Sequence, residues 1–215
     1  MRTSDAVTVV RGEEELFRRV GHLFSTVTDL ACAANDLATW VAAHGTGELA
    51  ERRAGQVRIR KIYRAGLLLD EGAAQELARV RDRHGAQVRI STEDLNETIV
   101  LDGRLVILAG DLSAGQRGYS VITQPETVQG VMSLFEAAWR SATELAVFDA
   151  QVSEIRRLAP AVLDLLGSGV KDEAAARTLG LGVRTYRRRV AELMAALGAE
   201  SRFQAGVRAR ELGLV

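Results

Sequence analysis

The 215-residue chain is poor in cysteine and in long apolar runs, and each shortage excludes a class of protein. Cys32 is the only cysteine, so one chain cannot build a disulfide framework or a cysteine-rich metal site, and we expect Cys32 to be a small core residue. No apolar run approaches the ~20 residues that cross a bilayer, and the N-terminal residues lack a signal-peptide core. We therefore expect a cytoplasmic protein with no membrane partner.

Signatures of common catalytic and cofactor sites are also missing. Neither GxGxxG nor GxxxxGK[ST] occurs, so no nucleotide-binding loop is predicted. The histidines His22, His44 and His84 are not spaced as metal ligands. The part of the chain before residue 151 has a single lysine, Lys61, and lacks the acidic set of a phosphorylated receiver domain. We expect no catalytic residue, no cofactor and no metal.

Arginine is the residue that stands out, in a segment that predicts two short helices. The second helix begins near Val183, and four apolar or aromatic residues recur along it at steps of three and four. This spacing predicts one buried stripe on the helix. The residues of the stripe are Tyr186, Val190, Leu193 and Leu197.

Opposite that stripe, Arg184, Arg187 and Arg188 share an exposed face, with the small Ala191 one turn further on. The planar fork of arginine donates two hydrogen bonds at once and suits the paired acceptors of guanine and phosphate oxygens. This face could enter a major groove. The alternative is a solvated charged face without a partner, the usual fate of an arginine run.

The preceding residues complete a helix-turn-helix pattern. Asp172 is placed to cap a helix that extends to about Leu179, and Gly180 and Gly182 are predicted to form the tight turn. From Ser153 onward the chain holds 11 Lys and Arg against 7 Asp and Glu, a net charge of +4, which leaves −4 for the rest. A local positive field is what attraction to phosphates requires.

From Ile155 to about Leu212 the chain resembles the four-helix DNA-binding domain of LuxR-type transcription regulators. The matching pieces are Val162–Leu166, Gly169–Val170, Ala176 with Leu179–Gly180, Arg184–Tyr186 and Ser201–Gln204. Gly182 stands where the family has a serine. The resemblance implies that Thr185 and nearby basic groups hold phosphates, and that Arg187, Arg188 and Ala191 face base edges. Lys171, Arg189 and Arg202 complete the predicted DNA-binding set, and the excess of arginine over lysine resembles actinobacterial composition.

The preceding 150 residues alternate helical and extended patterns. Strands are predicted at 28–34, 57–63, 87–91, 97–101, 105–109 and 118–123, and helices at 13–27 and 72–84. The Asp102–Gly103 pair predicts a hairpin turn. A last helix is predicted from Pro125, with an apolar stripe of Val131, Leu134, Phe135 and Trp139, running without a break to about Gln151.

This order of elements resembles the phospholipase D-like half domain that serves as the sensor of TrmB-like regulators. The pieces that carry it are RDRHGAQVRI, the hairpin TIVLDGRLVILAG and a closing helix with LFEAAW. If Asp102 holds the aspartate of the enzyme family's His-x-Lys-x4-Asp signature, Leu95 and Glu97 stand where histidine and lysine belong. Neither can supply the nucleophile or the cation that phosphodiester chemistry needs. The resemblance implies a scaffold without catalysis.

Ligand contact is predicted for Trp40, Arg60, Tyr63 and Glu97. An aromatic residue on an apolar face is more often core than pocket, so the alternative for Trp40 is a structural role.

The sequence thus predicts an α/β N-terminal domain, a degenerate phospholipase D-like half domain, at 1–150, followed by an all-α LuxR-type helix-turn-helix domain at 151–215. The predicted function is a DNA-binding transcription regulator, with double-stranded DNA as partner and a homodimer as the working species. A small-molecule effector and RNA polymerase are further candidate partners. The alternatives are a phospholipase D-like phosphodiesterase and a sigma-factor-like module that binds protein.

Overall fold

The structure is a computed structural model and describes residues 6–35, 57–113 and 116–215. The chain forms two compact units. The first comprises Met1–Tyr63, Ala78–Arg89 and Leu95–Ala142, and the second Arg64–Leu77, Ile90–Asp94 and Thr143–Val215. Trp40 and His44 lie outside the described residues.

The described elements follow one another in a mixed α/β order and end in helices. The helices are α1 (Glu13–Phe24), α2 (Glu71–His84), α3 (Pro125–Ser141), α4 (Leu145–Gly167), α5 (Asp172–Thr178), α6 (Val183–Leu197) and α7 (Arg202–Glu211), and a short 3-10 helix spans Ala65–Leu69. The strands are β1 (Val7–Arg11), β2 (Asp29–Ala34), β3 (Arg58–Arg64), β4 (Gln87–Ser91), β5 (Thr98–Leu101), β6 (Leu105–Ser113), β7 (Gln116–Ile122) and β8 (Thr143–Glu144). None of these helices is long and apolar enough to cross a membrane.

A mixed sheet with the strand order β1-β7-β6-β5-β2-β3-β4-β8 organises the strands. Strands β2 and β3 are parallel, whereas β2 with β5, β5 with β6, β6 with β7 and β7 with β1 are antiparallel. The predicted hairpin turn is confirmed, since Asp102 and Gly103 have φ of 50° and 60°. Leu101 pairs with Leu105, so the loop has three residues, Asp102 to Arg104, and the Arg104 amide donates to the Leu101 carbonyl at 2.9 Å.

The apolar core of the first unit lies between one face of the sheet and α3. Ile62, Val100 and Val106 from the strands form one cluster with Phe135 of α3. Val131 and Trp139 pack against the same cluster, so the predicted stripe of α3 covers its own sheet. Leu134 departs from this stripe, because it is 72% exposed.

The unbroken helix predicted from Pro125 to Gln151 is wrong. Helix α3 ends at Ser141, Ala142 is extended with ψ of 144°, and α4 begins only at Leu145. The Ala142 amide still donates to the Ala138 carbonyl at 3.0 Å, which closes the last turn of α3. The predicted domain boundary at 150/151 falls inside α4, which is one continuous helix.

The second unit contains α4 to α7 together with the short 3-10 helix. Helix α4 buries Val162 and Leu163. Helix α7 contributes Ala205 and Ala209, both with 0% exposure. Such small residues allow helix axes to approach closely, which suits a compact helical unit.

Candidate nucleic-acid interface

The recognition candidate of the second unit is α6, and the residues at its two ends set its limits. Gly182 is the N-cap residue, with an extended backbone, and its carbonyl accepts from the Tyr186 amide at 2.9 Å. At the other end Gly198 adopts a left-handed φ of 65°, and the Ala199 amide donates to the Met194 carbonyl at 2.8 Å. This pattern is a Schellman C-cap.

The two faces of α6 differ as the spacing predicts. The predicted stripe is buried, with Tyr186, Val190, Leu193 and Leu197 each no more than 3% exposed. Arg184, Arg187, Arg188 and Ala191 are exposed on the other side of the helix. The helix is therefore anchored by its apolar face and presents three guanidinium groups to solvent.

The turn before α6 depends on one glycine. Gly180 has a left-handed φ of 65°, and the next amide, that of Leu181, donates to the Ala176 carbonyl at 2.8 Å. Gly182 has φ of −69°, a value open to any residue, so the prediction that both glycines form the turn holds only for Gly180.

Asp172 does not cap α5, contrary to the prediction. The N-cap residue is Lys171, and Asp172 is the first residue of the helix. Its carboxylate instead binds two arginines: Oδ2 accepts from Arg187 Nε at 2.7 Å, and Oδ1 accepts from Arg202 Nη1 at 2.8 Å. The hydrogen bonds from Arg202 and Arg187 lower the pKa of Asp172 to about 2. One carboxylate therefore links α5, α6 and α7.

Arg187 and Arg188 each make a further contact with a glutamate. Arg187 Nη2 lies 3.4 Å from a Glu173 oxygen, and Arg188 Nη1 lies 2.9 Å from a Glu192 oxygen one turn along the helix. With Arg187 58% and Arg188 59% exposed, these contacts are solvated and worth little in stability. A phosphate or a base edge can therefore replace them at small cost.

Arg189 does not share the exposed face. Although the sequence groups it with the DNA-binding residues, its side chain is 9% exposed and pairs with Glu154 and Glu192. These hydrogen bonds raise the pKa of Arg189, Glu192 being the larger cause. Arg189 lies on the buried side of α6, next to Val190. Its ion pair with Glu154 therefore links α6 to α4.

The remaining predicted DNA-binding residues lie around the same turn. Thr185 is half-buried in the first turn of α6, and Lys171 is exposed before α5. Arg202 opens α7, where Ser201 is the N-cap and its hydroxyl accepts from the Gln204 amide at 3.1 Å. Arg202 forms an ion pair with Asp172 at 2.8 Å. It therefore links α7 to α5 and also carries a positive charge beside the turn.

In the first unit, the signature positions of the phosphodiesterase resemblance have structural roles. Leu95 packs against the apolar cluster. The Glu97 carboxylate is buried, pairs with Arg117 and accepts from the Asn35 amide at 3.4 Å. Glu97 and Asp102 flank β5 at its two ends, which separates them by roughly 16 Å at 3.3 Å per residue.

Asp102 stabilises the hairpin that it begins. Its Oδ1 accepts from the Thr28 amide, the Thr28 hydroxyl and the Asp29 amide, each at 2.8 Å. Partial burial alone would raise the pKa of Asp102, but these hydrogen bonds outweigh burial and hold the pKa below its usual value.

Arg60 and Tyr63, two of the residues predicted to contact a ligand, do not converge on one site. Arg60 and Tyr63 are 2% exposed and, three residues apart on β3, point to opposite faces of the sheet. Arg60 faces α3, where Nη1 donates to Glu136 at 2.5 Å and the guanidinium lies 5.4 Å from the Phe135 ring centre. The prediction for Trp40 lies outside the described residues.

A cleft of about 680 Å³ opens elsewhere in the first unit, between the β5–β6 turn, the end of β7 and α3. None of Arg60, Tyr63 and Glu97 lines it. Its charged lining residues are Arg104, Glu136 and Arg140. Within the described part of the chain no cluster of His, Cys, Asp or Glu could hold a metal ion.

Cys32 is 3% exposed and lies beside Lys61, its partner in the β2–β3 register. Burial raises the pKa of the Cys32 thiol to about 11, and burial also lowers the pKa of Lys61. The thiol is therefore protonated near neutral pH, as expected of a core cysteine.

The sequence interpretation missed the acidic partners of the arginine face. The Arg188–Glu192 pair has the i,i+4 spacing that the sequence displays. The Asp172–Arg187 pair joins residues 15 positions apart across a turn, and no local spacing rule reveals it.

Comparison with known proteins finds a relative by sequence. No protein-family model matches the chain. It is 32% identical over 132 residues to the bialaphos biosynthetic pathway regulatory protein of Streptomyces hygroscopicus, a match that covers 61% of this chain and 52% of the relative. The chain therefore spans about half the length of that curated relative.

One solved structure shows the fold of the α/β part. The chain is similar to Nuc, a phospholipase D family member from Salmonella typhimurium, with a TM-score of 0.50 and 13% identity over 64% of this chain and 97% of that one. The archaeal chromatin protein TrmBL2 has a TM-score of 0.48 and 16% identity over 67% of this chain and 56% of its own. The likeness to Nuc shows a phospholipase D-like fold and nothing about activity.

Proposed function

We propose that this protein is a sequence-specific DNA-binding transcription regulator whose helix α6 enters the major groove. The observation that carries the proposal is the division of α6 into a buried apolar face and an exposed face with Arg184, Arg187 and Arg188. The name of the Streptomyces relative, a pathway regulatory protein, supports the same function. The resemblance of the C-terminal helices to a LuxR-type domain supports this docking geometry.

The test is DNA binding at several salt concentrations, with duplexes selected by the protein from a random pool. Replacing Arg187 or Arg188 by Ala is expected to weaken binding to the selected sequence by about 1–3 kcal/mol, the range for a lost base contact. The control is Arg157→Ala, which removes the same charge from an exposed position on α4. Selection of no sequence, or equal affinity for Arg187→Ala, Arg188→Ala and the control, would overturn the proposal.

The first unit is proposed to lack phosphodiesterase activity. The support is chemical: Leu95 and Glu97 provide neither nucleophile nor cation, and Glu97 is already paired with Arg117. Incubation with bis(4-nitrophenyl) phosphate is expected to release nitrophenolate no faster than buffer. Turnover that follows protein concentration through purification would contradict this.

We further propose that a homodimer is the working species, with the first unit and α7 both contributing to the pairing. Phe203 and Val207, one turn apart on α7, are 83% and 43% exposed, and neighbouring exposed apolar side chains of this kind favour an interface. Sedimentation at micromolar concentration is expected to give the mass of two chains, and Phe203→Glu to weaken the dimer. A single-chain mass together with tight operator binding would exclude this assembly.

Effector sensing is proposed for the first unit, and the cleft lined by Arg104 and Arg140 is the place to look for it. A compound that binds the folded chain raises its melting temperature. A compound that binds in this cleft should raise the melting temperature of the wild type but not that of Arg140→Gln.

A further inference from the structure

Within the second unit Arg187 is the one exposed arginine of α6 whose guanidinium is held by a carboxylate on another helix. Its Nε donates to Asp172 Oδ2 at 2.7 Å. Arg188, by contrast, pairs within its own helix with Glu192. The orientation of Arg187 is therefore set by α5, the helix that precedes the turn.

Asp172 is itself fixed. Its side chain is 14% exposed, and its second oxygen accepts from Arg202 Nη1 at 2.8 Å. The carboxylate cannot turn away from Arg187 without giving up the bond to α7. The low pKa of Asp172, about 2, keeps this carboxylate ionised at neutral pH.

The geometry leaves one edge of Arg187 for a ligand. A guanidinium has five N–H donors in a plane, and the Nε side is taken by Asp172. Nη2 makes only a 3.4 Å contact to Glu173, which is 54% exposed. The remaining fork consists of Nη1 and Nη2, and this pair matches the O6 and N7 acceptors of guanine in the major groove.

We propose that Asp172 is a positioning residue for base recognition: it holds Arg187 so that the Nη1/Nη2 edge reads a guanine. This inference rests on the proposed DNA-binding function. Asp172 carries a negative charge beside the DNA-facing surface, so it opposes attraction to phosphates while it sharpens the choice of base. Loss of Asp172 should therefore strengthen non-specific binding and weaken specificity at the same time.

The test uses the full chain and a duplex that the wild-type protein selects from a random pool, with each guanine in turn replaced by 7-deazaguanine, which lacks N7. For the wild type we expect one guanine whose replacement weakens binding roughly 5- to 150-fold, the range of a bidentate contact. In Asp172→Asn this penalty should fall to within about threefold, while affinity for unrelated duplexes rises.

Glu173→Gln is the matched control, because it removes the same charge from the neighbouring residue and leaves the Asp172 bond in place. It should raise non-specific affinity alone and keep the 7-deazaguanine penalty. A cycle with Arg187→Lys tests whether Asp172 acts through Arg187: in that background Asp172→Asn should change specificity no further. If Asp172 acted only through the stability of the fold, Asp172→Asn would still change specificity in the Arg187→Lys background. If Asp172→Asn does not fold, Arg202→Gln, which frees Asp172 from α7, should lower the penalty in part.

The outcomes separate the two proposals. If the wild-type protein selects no sequence, the DNA-binding function fails, and this inference with it. If it selects a sequence and Asp172→Asn retains the full penalty, or Glu173→Gln loses it equally, only the positioning role of Asp172 is overturned.

Discussion

In the first unit Arg60 lies inside the core, whereas in the second unit Arg187 and Arg188 lie on the surface of α6. Arg60 is 2% exposed, bonds to Glu136 and lies 5.4 Å and 5.8 Å from the ring centres of Phe135 and Trp139. Arg187 and Arg188 keep more than half of their side-chain surface exposed while they meet carboxylates. The first arrangement joins β3 to α3, and the second leaves the Arg188 guanidinium and the Nη1/Nη2 edge of Arg187 open to a further partner.

The same contrast separates two consecutive residues of α6. Arg188 is 59% exposed, and Arg189, one residue later, is 9% exposed and paired with Glu154 of α4. A step of one residue turns a side chain by about 100° around a helix. The helix face that carries an arginine therefore decides whether it links two helices of the protein or is available to contact DNA. The run of three arginines in the sequence does not distinguish these two roles.

The largest effect is expected from a charge in the core of the second unit. Leu193 is 0% exposed on α6, so Leu193→Asp would bury a carboxylate without a partner and cost more than about 4 kcal/mol. We expect loss of cooperative unfolding of the helical unit and loss of DNA binding, measured by circular dichroism during urea titration.

The control for Leu193→Asp is Ala195→Asp, two residues further along the same helix at an exposed position. It places the same charge near a helix C-terminus and should cost no more than about 1 kcal/mol. Equal stability of the two variants would show that α6 buries a different face.

The burial of Leu193 was predictable, because helical spacing is a local property. The step pattern from Val183 and the Asp102–Gly103 turn both follow from neighbouring residues, and the structure has both where predicted. The end of α3 was not predictable in this way. Ala142, Leu145 and Phe148 continue the apolar pattern past Ser141 and are buried. In addition, no Gly or Pro lies near Ser141 to mark the end of the helix.

The candidate site was predictable in part for the same reason. The exposed positions of Arg184, Arg187 and Arg188 follow from the stripe on the opposite face of α6. Their partners do not, because Asp172 meets Arg187 only after the chain has turned at Gly180. In the first unit, alternation along β3 predicts that Arg60 and Tyr63 lie on opposite faces of the sheet. The packing of α3 over Arg60 is a tertiary contact that this local pattern does not reveal.

An intermediate effect is expected from Arg60→Leu. The variant loses the bond to Glu136 and the two ring contacts, while Asp29 and Glu136, each 36% exposed, can turn to water. We expect a loss of about 2 kcal/mol in the free energy of unfolding, measured by urea titration. Arg58→Leu is the control on the same strand: Arg58 is 60% exposed, lies 4.0 Å from Asp29, and should cost about 0.5 kcal/mol or less. Equal losses would mean that burial does not distinguish the two arginines.

The smallest effect concerns the surface arrangement itself and depends on pH. The pKa of Asp172 is lowered from 3.8 to about 2, chiefly by the hydrogen bond from Arg202 and next by that from Arg187. A carboxyl whose pKa is lower in the folded state stabilises the fold above its unfolded pKa, and this contribution is lost as pH falls through the folded pKa. The melting temperature of the wild type should therefore exceed that of Asp172→Asn by a constant amount above about pH 5, and the difference should shrink between pH 4 and pH 2.

Glu173→Gln, which loses only the 3.4 Å contact to Arg187, should show a smaller difference at every pH. A difference between wild type and Asp172→Asn that stays constant down to pH 2 would show that the two arginines do not hold the ionised carboxylate.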